Sequence, residues 1–302
     1  MNPIEKHYFE YKTMLKTRIV AVLVIKGGIV VQSVGFKRYL PIGSPAVAIE
    51  FLNNWGIDEI VCLDIDATRE GRGPQFDAIS TYTKHCQVPL AVGGGIKDLD
   101  DIRRTIYAGA DKIVINTSAV KNPKLLSEGA RQFGNQCIVA SIDARRLATG
   151  KYEAFIEGGS QPAGDTPASL AKRFEECGAG EILLNSIDQD GSKKGYDLEL
   201  IREVVSKVNI PVVVCGGVNH PRHFQDAACL EVSGLAAANF FHYYEHSVTT
   251  VKRYLKNTNA NIRLDTYFDY HGFSFDDSGR LRKKDDALLE KLYVEFTPQE
   301  VI

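Results

Sequence analysis

Two stretches of this chain repeat at a separation of 122 to 123 residues, so Glu59 falls opposite Glu181 and Gly94 opposite Gly217. GIDEIVCLDID (56–66) recurs as GAGEILLNSID (178–188), and VPLAVGGGIKDLDDI (88–102) recurs as IPVVVCGGVNHPRHF (210–224). Around these copies run eight apolar segments: RIVAVLVI, EIVCLDID, PLAVGG, KIVINT, CIVASID, EILLNSID, PVVVCGG and GLAAANFF. Most are apolar nearly throughout, as in parallel strands covered on both faces. Periodic, helix-length segments such as DLDDIRRTIYAGA and SLAKRFEECGA separate them,. Eight strand-then-helix units predict a closed (β/α)8 TIM barrel rather than an open doubly wound sheet, and the repeat divides it into two half-barrels. No GxGxxG follows the first strand, against a dinucleotide fold,.

The barrel is expected over residues 18–256, with a short N-terminal extension over 1–17 and a polar C-terminal extension over 257–302. Within the latter, HGFSFDDSGRLRKKDD reads as a hairpin or loop before a helix at DALLEKL. The net charge of −2 excludes the overall basic field of a nucleic-acid binder, so bound phosphates must be held locally,. The charged N-terminal segment lacks the apolar core of a signal peptide, and no apolar run approaches membrane-spanning length,. Cys62, Cys86, Cys137, Cys177, Cys215 and Cys229 stand singly, which reads as reduced thiols of a cytoplasmic protein,.

In a barrel, the C-terminal strand ends and the loops after them build the active site. Gly93, Gly94 and Gly95 end the third strand, and Asn116 and Thr117 end the fourth. Their counterparts are Gly216 and Gly217 after the seventh strand and Asn239 after the eighth. Glycine lets the backbone approach a phosphate, and exposed amides supply donors. Two matching sites on opposite rims imply a long small-molecule ligand with a phosphate at each end. At the other mouth, Arg18, Glu59, Lys112 and Glu181 precede or open strands, four charges able to close a salt-bridged ring. His220, His223, His242 and His246 show no metal-ligand spacing; no metal or cofactor is expected, and Trp55 reads as packing,.

Over roughly residues 18–264 the sequence resembles the cyclase subunit of imidazole glycerol phosphate synthase. The resemblance is carried by GIDEIVCLDIDA, VGGGI, GADKIVINTSAV, IDARR, GAGEILLNSIDQDG and GYD. It implies a lyase-class, ammonia-using synthase barrel that pairs with a glutaminase as a heterodimer and acts on a bis-phosphorylated ribulosyl aminoimidazole carboxamide. It assigns phosphate binding to Gly95, Asn116 and Thr117 on one side, and to Asp190, Gly191, Gly217 and Asn239 on the other. By the same resemblance Arg18, Glu59, Lys112 and Glu181 form the gate through which ammonia enters, and Asp111 lies at the glutaminase interface.

The family's cyclase chemistry uses two aspartates as general acid and base. The fifth-strand aspartate is present as Asp143. The first-strand pattern, roughly LDVKDGRVVKG, reads LVIKGGIVVQS here: Val24 replaces the other aspartate, Gln32 the loop lysine, and Gly27-Gly28 the loop Asp-Gly. Asn239 stands where the family usually has a smaller hydroxyl side chain. Val24 aligns with Asp143 at a spacing of 119 in the repeat itself, so one half carries a carboxylate and the other a methyl pair. Losing one of two cooperating acid/base groups costs about 10²–10⁴-fold. Asp64, Asp66 and Asp188, which end strands two and six, stay open as substitutes.

An intact ammonia inlet with a damaged cyclase face favours a paralogue that docks a glutaminase and conducts ammonia to another reaction. The resemblance suggests amidation by a third enzyme, an amidotransferase or synthetase, in surface-polysaccharide biosynthesis, where acetamido sugars become acetamidino sugars. The alternatives are a working cyclase of histidine biosynthesis and a catalytically dead scaffold that regulates a glutaminase.

Overall fold

The apolar runs assemble into one closed ring of eight parallel strands. A computed structural model describes residues 16–243, 246–258, 260–264, 274–277 and 279–282. In chain order the strands are β1 (Arg18–Lys26), β2 (Ile29–Val34), β3 (Arg38–Gly43), β4 (Glu59–Asp64), β5 (Leu90–Gly93), β6 (Lys112–Ile115), β7 (Ile138–Arg146), β8 (Tyr152–Ile156), β9 (Gln161–Pro162), β10 (Glu181–Ser186), β11 (Val212–Cys215) and β12 (Gly234–Ala237). The ring runs β1-β4-β5-β6-β7-β10-β11-β12 and closes through β12 onto β1. The (β/α)8 barrel expected from the eight runs is the fold.

Helices α1 (Pro45–Asn54), α2 (Phe76–His85), α3 (Leu99–Tyr107), α4 (Thr117–Lys121), α5 (Lys124–Phe133), α6 (Pro167–Glu176), α7 (Leu198–Val205), α8 (Pro221–Ala228) and α9 (Ser247–Asn257) follow the barrel strands. Their starts follow local chemistry. Asp98, Thr166 and Asp197 cap α3, α6 and α7 by accepting hydrogen bonds from the backbone N–H three residues on,. Pro45, Pro167 and Pro221 occupy first-turn positions, where no amide partner is needed,.

Strand periodicity sorts the side chains into two cores. Ile19, Ala21, Leu23 and Ile25 of β1 point outward, into the large cluster between strands and helices. Val20 and Val22 point into the bore, where they meet Val61, Ala91, Val114, Val139, Leu183, Val213, Cys215 and Ala236, with Val24 and Leu63 packed against them. By the same two-residue alternation, Arg18 and Val24 lie at opposite ends of one inward-facing row on β1.

Two hairpins were not foreseen from the apolar runs. β1 continues antiparallel into β2 and β3, and β7 continues antiparallel into β8 and β9, so each half-barrel begins with a hairpin over its C-terminal rim. Gly27 and Gly28 both have positive φ (57° and 78°), the requirement of a type I′ two-residue turn, and Lys26 pairs with Ile29 across it,. The repeat signal fails here because hairpin sequences diverge freely once their turn glycines are in place. In the C-terminal extension, Phe275 pairs antiparallel with Leu281. The helix expected at DALLEKL (286–292), and nearly all of the N-terminal extension, lie outside the described residues.

Below the bore, Lys252 of α9 donates to Asp58 at 2.6 Å with both side chains at most 2% exposed, and Asp58 also accepts from the Ile19 amide at 2.8 Å. The pair ties α9 to the start of β4 and to β1. Asp58→Ala removes the buried carboxylate that holds the Lys252 ammonium and the Ile19 amide, and is expected to cost about 3–5 kcal/mol,. Urea denaturation measures it; a loss below about 1 kcal/mol would show that the pair is not the tie proposed.

Candidate functional site

At the N-terminal mouth the four foreseen charges do close a ring. Arg18 donates to Glu59 and, at 2.7 Å, to Glu181; Lys112 donates to Glu59 at 2.9 Å and to Glu181 at 3.2 Å. Each carboxylate therefore serves two cations and each cation two carboxylates. Glu59 and Glu181 are buried, which is tolerable only because every charge is answered,. Burial opposes the charge on Arg18, but the Glu181 and Glu59 carboxylates outweigh it and raise its pKa. Asp111 sits exposed beside the ring, its carboxylate accepting from the Leu90 amide at 2.8 Å.

The bore above the ring is lined by aliphatic side chains, and it opens at the C-terminal face into two adjoining cavities. The first, about 140 Å³, is lined by Val22, Val24, Leu63, Asp143 and Asn185 in its depth and by Gly94, Gly95, Asn116 and Thr117 at its rim. The second, about 290 Å³, is lined by Gln32, Asp190, Gly191, Gly216, Gly217 and Asn239, joined by Lys193 and Arg280. Asp190, Cys215 and Ala238 border both, so the two form one elongated cleft. Of the phosphate-loop candidates, Gly93 borders neither cavity, and the others all border this cleft.

The glycines are demanded by close approach. An added Cβ on Gly94 would lie 2.4 Å from the Asp64 carbonyl oxygen, and one on Gly217 would lie 2.1 Å from that of Gly195. The polar side chains are more committed than the sequence suggested. Thr117 Oγ1 accepts from the Glu157 amide at 3.1 Å, and Asn116 donates to the Ser141 carbonyl at 3.1 Å. Asn239 makes a reciprocal pair with the backbone of Ser33, accepting from its N–H at 3.1 Å and donating to its carbonyl at 2.6 Å. Asp190 accepts from Ser33 Oγ at 2.6 Å and from the Phe36 amide at 3.1 Å. These two side chains dock the first hairpin onto the second half of the barrel, which leaves backbone amides as their contribution to an anion. Gln32 accepts from the Tyr243 hydroxyl.

Asp143 is the acid/base candidate. Burial pushes its carboxyl up to about 7, with a hydrogen bond from Asn185 pulling down and the Asp190 charge pushing up. A carboxyl poised near neutrality can give or take a proton. The repeat exposes the asymmetry: Asp143 pairs in register with Asn185 across β7–β10, and Val24 with Leu63 across β1–β4. A polar pair in one half is an aliphatic pair in the other. The possible substitutes are occupied. Asp64 lines the cleft but receives both Arg72 terminal nitrogens at 2.6 and 2.9 Å, Asp66 is held by Lys26 at 2.7 Å and the Gly27 amide at 3.0 Å, and Asp188 accepts from the Arg146 amide at 2.7 Å.

Sequence reasoning missed Lys193 and Arg280. The first stands in the loop after β10 with left-handed backbone (φ 65°), and the second comes from the C-terminal extension. Among the described residues no group of three or more His, Cys, Asp or Glu is placed to hold a metal, and no helix is long and apolar enough to cross a membrane. His220 caps α8, His242 is half-buried, with desolvation lowering its pKa to about 4, and Trp55 packs between Phe51 and His246.

Residues 18–247 match the family described as histidine biosynthesis protein. The chain is 43% identical over 271 residues to a Vibrio vulnificus protein provisionally named imidazole glycerol phosphate synthase subunit hisF2, covering 88% of this chain and 98% of that one. It is 44% identical over 255 residues to the imidazole glycerol phosphate synthase subunit HisF of Bacillus cereus strain ATCC 10987, covering 83% of this chain and all of that one. The same protein of Bacillus cereus strain Q1 matches to the same extent.

The raised carboxyl of Asp143 has a consequence for stability. Its folded pKa of about 7 exceeds the ordinary 3.8, so its favourable contribution is complete below pH 4 and is lost as pH rises to 7,. Asp143→Asn removes that dependence, and each pKa unit is worth about 1.4 kcal/mol. The stability of the variant relative to the parent is therefore expected to grow from pH 4 to pH 7 and then level off. Parallel pH–stability curves for the two chains in denaturant titrations would contradict the assignment.

Proposed function

Because this chain belongs to the family described as histidine biosynthesis protein, we propose that it is the synthase subunit of a glutamine-dependent pair of the imidazole glycerol phosphate synthase type. A glutaminase docks on the N-terminal face around Asp111. Ammonia passes the charged ring into the bore and meets a doubly phosphorylated acceptor lying along the C-terminal cleft. The observation that carries this reading is the closed ring of Arg18, Glu59, Lys112 and Glu181 beneath an aliphatic bore. Such a ring bars water and ions while its four members stay paired. Neutral ammonia can enter the apolar bore beyond it, whereas an ammonium ion would lose its hydration without compensation.

The names of the relatives weigh toward ring closure in histidine biosynthesis as the reaction at the far end. Asp143 supports this: it lies in the depth of the cleft with a carboxyl near neutrality. Val24 favours the other reading, delivery of ammonia to a different acceptor such as an acetamido sugar of a surface polysaccharide. With Val24 and Leu63 facing Asp143 and Asn185, one of the two proton-transfer groups is gone and Asp64, Asp66 and Asp188 are already engaged. A barrel that only regulates the glutaminase would leave the ring without a purpose.

Co-purification with the glutaminase, followed by assay of ammonia-dependent consumption of the ribulosyl substrate, separates these readings. With Val24 responsible for a defect, Val24→Asp is expected to raise cyclisation by about 10²-fold or more. Rescue of a histidine auxotroph by the unaltered chain would establish the cyclase and remove the case for another acceptor. Lys112→Met opens the ring, and in the complex it is expected to lower glutamine-driven turnover more than turnover driven by added ammonium salt. Equal losses from the two nitrogen sources would defeat the conduit.

A further inference from the structure

The first cavity carries one cation on a wall that is otherwise acidic. Among the described residues its charged lining is Asp64, Asp143, Glu157, Asp190 and Arg69. The carboxylates are occupied or held near neutrality. Asp64 takes both terminal nitrogens of Arg72, Glu157 accepts from Lys121 at 2.6 Å, and burial lifts the Asp143 carboxyl to about 7. Asp190 is held by Ser33 and Phe36 where the two cavities meet. Arg69 forms an ion pair with none of them. It donates to the Gly158 carbonyl at 3.4 Å, longer than an ordinary N–H···O bond,. Its charge is also felt inside the cavity: burial raises the Tyr39 hydroxyl above its ordinary pKa, and Arg69 opposes that rise from the same lining.

The turn that carries Arg69 is fastened to the rim. Asp64 accepts from the Asp66 and Ala67 amides at 3.2 and 3.3 Å, and the Glu70 and Arg72 amides donate to the Asp66 and Ala67 carbonyls at 2.9 and 3.0 Å. The end of this turn lies against the loop after β5, where a Cβ on Gly95 would fall 2.6 Å from the Arg72 carbonyl oxygen. Across from it stands the β8–β9 turn, whose Glu157 amide donates to Thr117. A Cβ on Gly158 in that turn would lie 3.0 Å from Arg69 Nη2. The guanidinium therefore sits between two anchored turns, one against Gly95 and the other on Thr117. With the Asn116 and Thr117 side chains already committed, it is the charged donor left at this rim.

We propose that Arg69 is the phosphate-binding cation of the first half of the cleft, clamping a phosphate dianion against the glycine-rich loop after β5. The inference rests on the reading that the cleft takes a ligand with two phosphates. In the free chain the guanidinium leans on a neutral carbonyl. A phosphate draws it away, because paired N–H groups on a dianion outweigh one long bond to Gly158,. Placed so, Arg69 selects an acceptor phosphorylated at this end over one that ends in a neutral sugar hydroxyl.

The test uses the full-length chain and calorimetric titration with a pentose bisphosphate at constant ionic strength. Arg69→Ala is expected to weaken binding about ten- to a hundredfold, the loss of one or two charge-assisted hydrogen bonds. Arg69→Lys recovers part of it, keeping the charge without the planar fork. Arg69→Gln keeps a donor for the Gly158 carbonyl but no charge, and is expected to lose as much as Arg69→Ala. Arg103→Ala, which removes a cation of α3 paired with Asp100, is expected to leave the affinity unchanged. Arg69 is exposed and the backbone bonds of its turn do not use its side chain, so these variants keep the fold. Unchanged affinity in Arg69→Ala, parental affinity in Arg69→Gln, or an equal loss in Arg103→Ala overturns the role of Arg69 and leaves the two-phosphate cleft standing. Failure of the parent chain to bind the bisphosphate overturns both.

Discussion

The in-register pairing of β7 with β10, from Val139 opposite Glu181 to Ala144 opposite Ser186, joins one half of the parallel sheet to the other. Together with the β12–β1 pairing it leaves no barrel strand with a free edge. Everything at the two ends of the barrel depends on this closure. A closed ring forces alternate side chains of each strand into a shared bore, and so it turns four distant residues into one layer of charge. The same geometry places Val24, Leu63, Asp143 and Asn185 at the cleft end of that bore.

The two ends obey opposite physical demands. At the N-terminal mouth, ionic groups are buried and mutually satisfied, each carboxylate held between two cations. At the C-terminal face, Asp143 is buried without a cation, and its carboxyl is pushed toward neutrality rather than held ionised. A charge that is paired is suited to structure or gating, and one that is unpaired is suited to proton transfer. Between them the aliphatic bore keeps the two electrostatic regimes apart.

The hairpins after β1 and β7 give the cleft its walls, and they also explain why several polar residues contact one another in place of solvent. Asn239 and Asp190 hold Ser33 and the turn at Phe36, so the first hairpin is bound to loops from the opposite half. The Asn239 carboxamide matches both the N–H and the carbonyl of Ser33, a reciprocal pairing that uses its donor and its acceptor at once,.

The eight strands, the two-fold repeat and the charged ring were all legible in the sequence, because strand periodicity and repeated spacing act locally and survive in one dimension. The exchange of a carboxylate for Val24 was equally plain, since the repeat supplies its own comparison at Asp143. Other features existed only after folding. Whether Asp64, Asp66 and Asp188 are available depends on Arg72, Lys26 and the Arg146 amide, which no spacing predicts. That Asn239 and Asp190 turn to the hairpin, and that Arg280 reaches the second cavity from 41 residues further along, follow from loops meeting across the rim. Sequence alone determined which elements form and which chemistry each strand end carries. Tertiary structure decided which of those groups are spent on one another, because hydrogen-bond and ionic partners are chosen by distance in space.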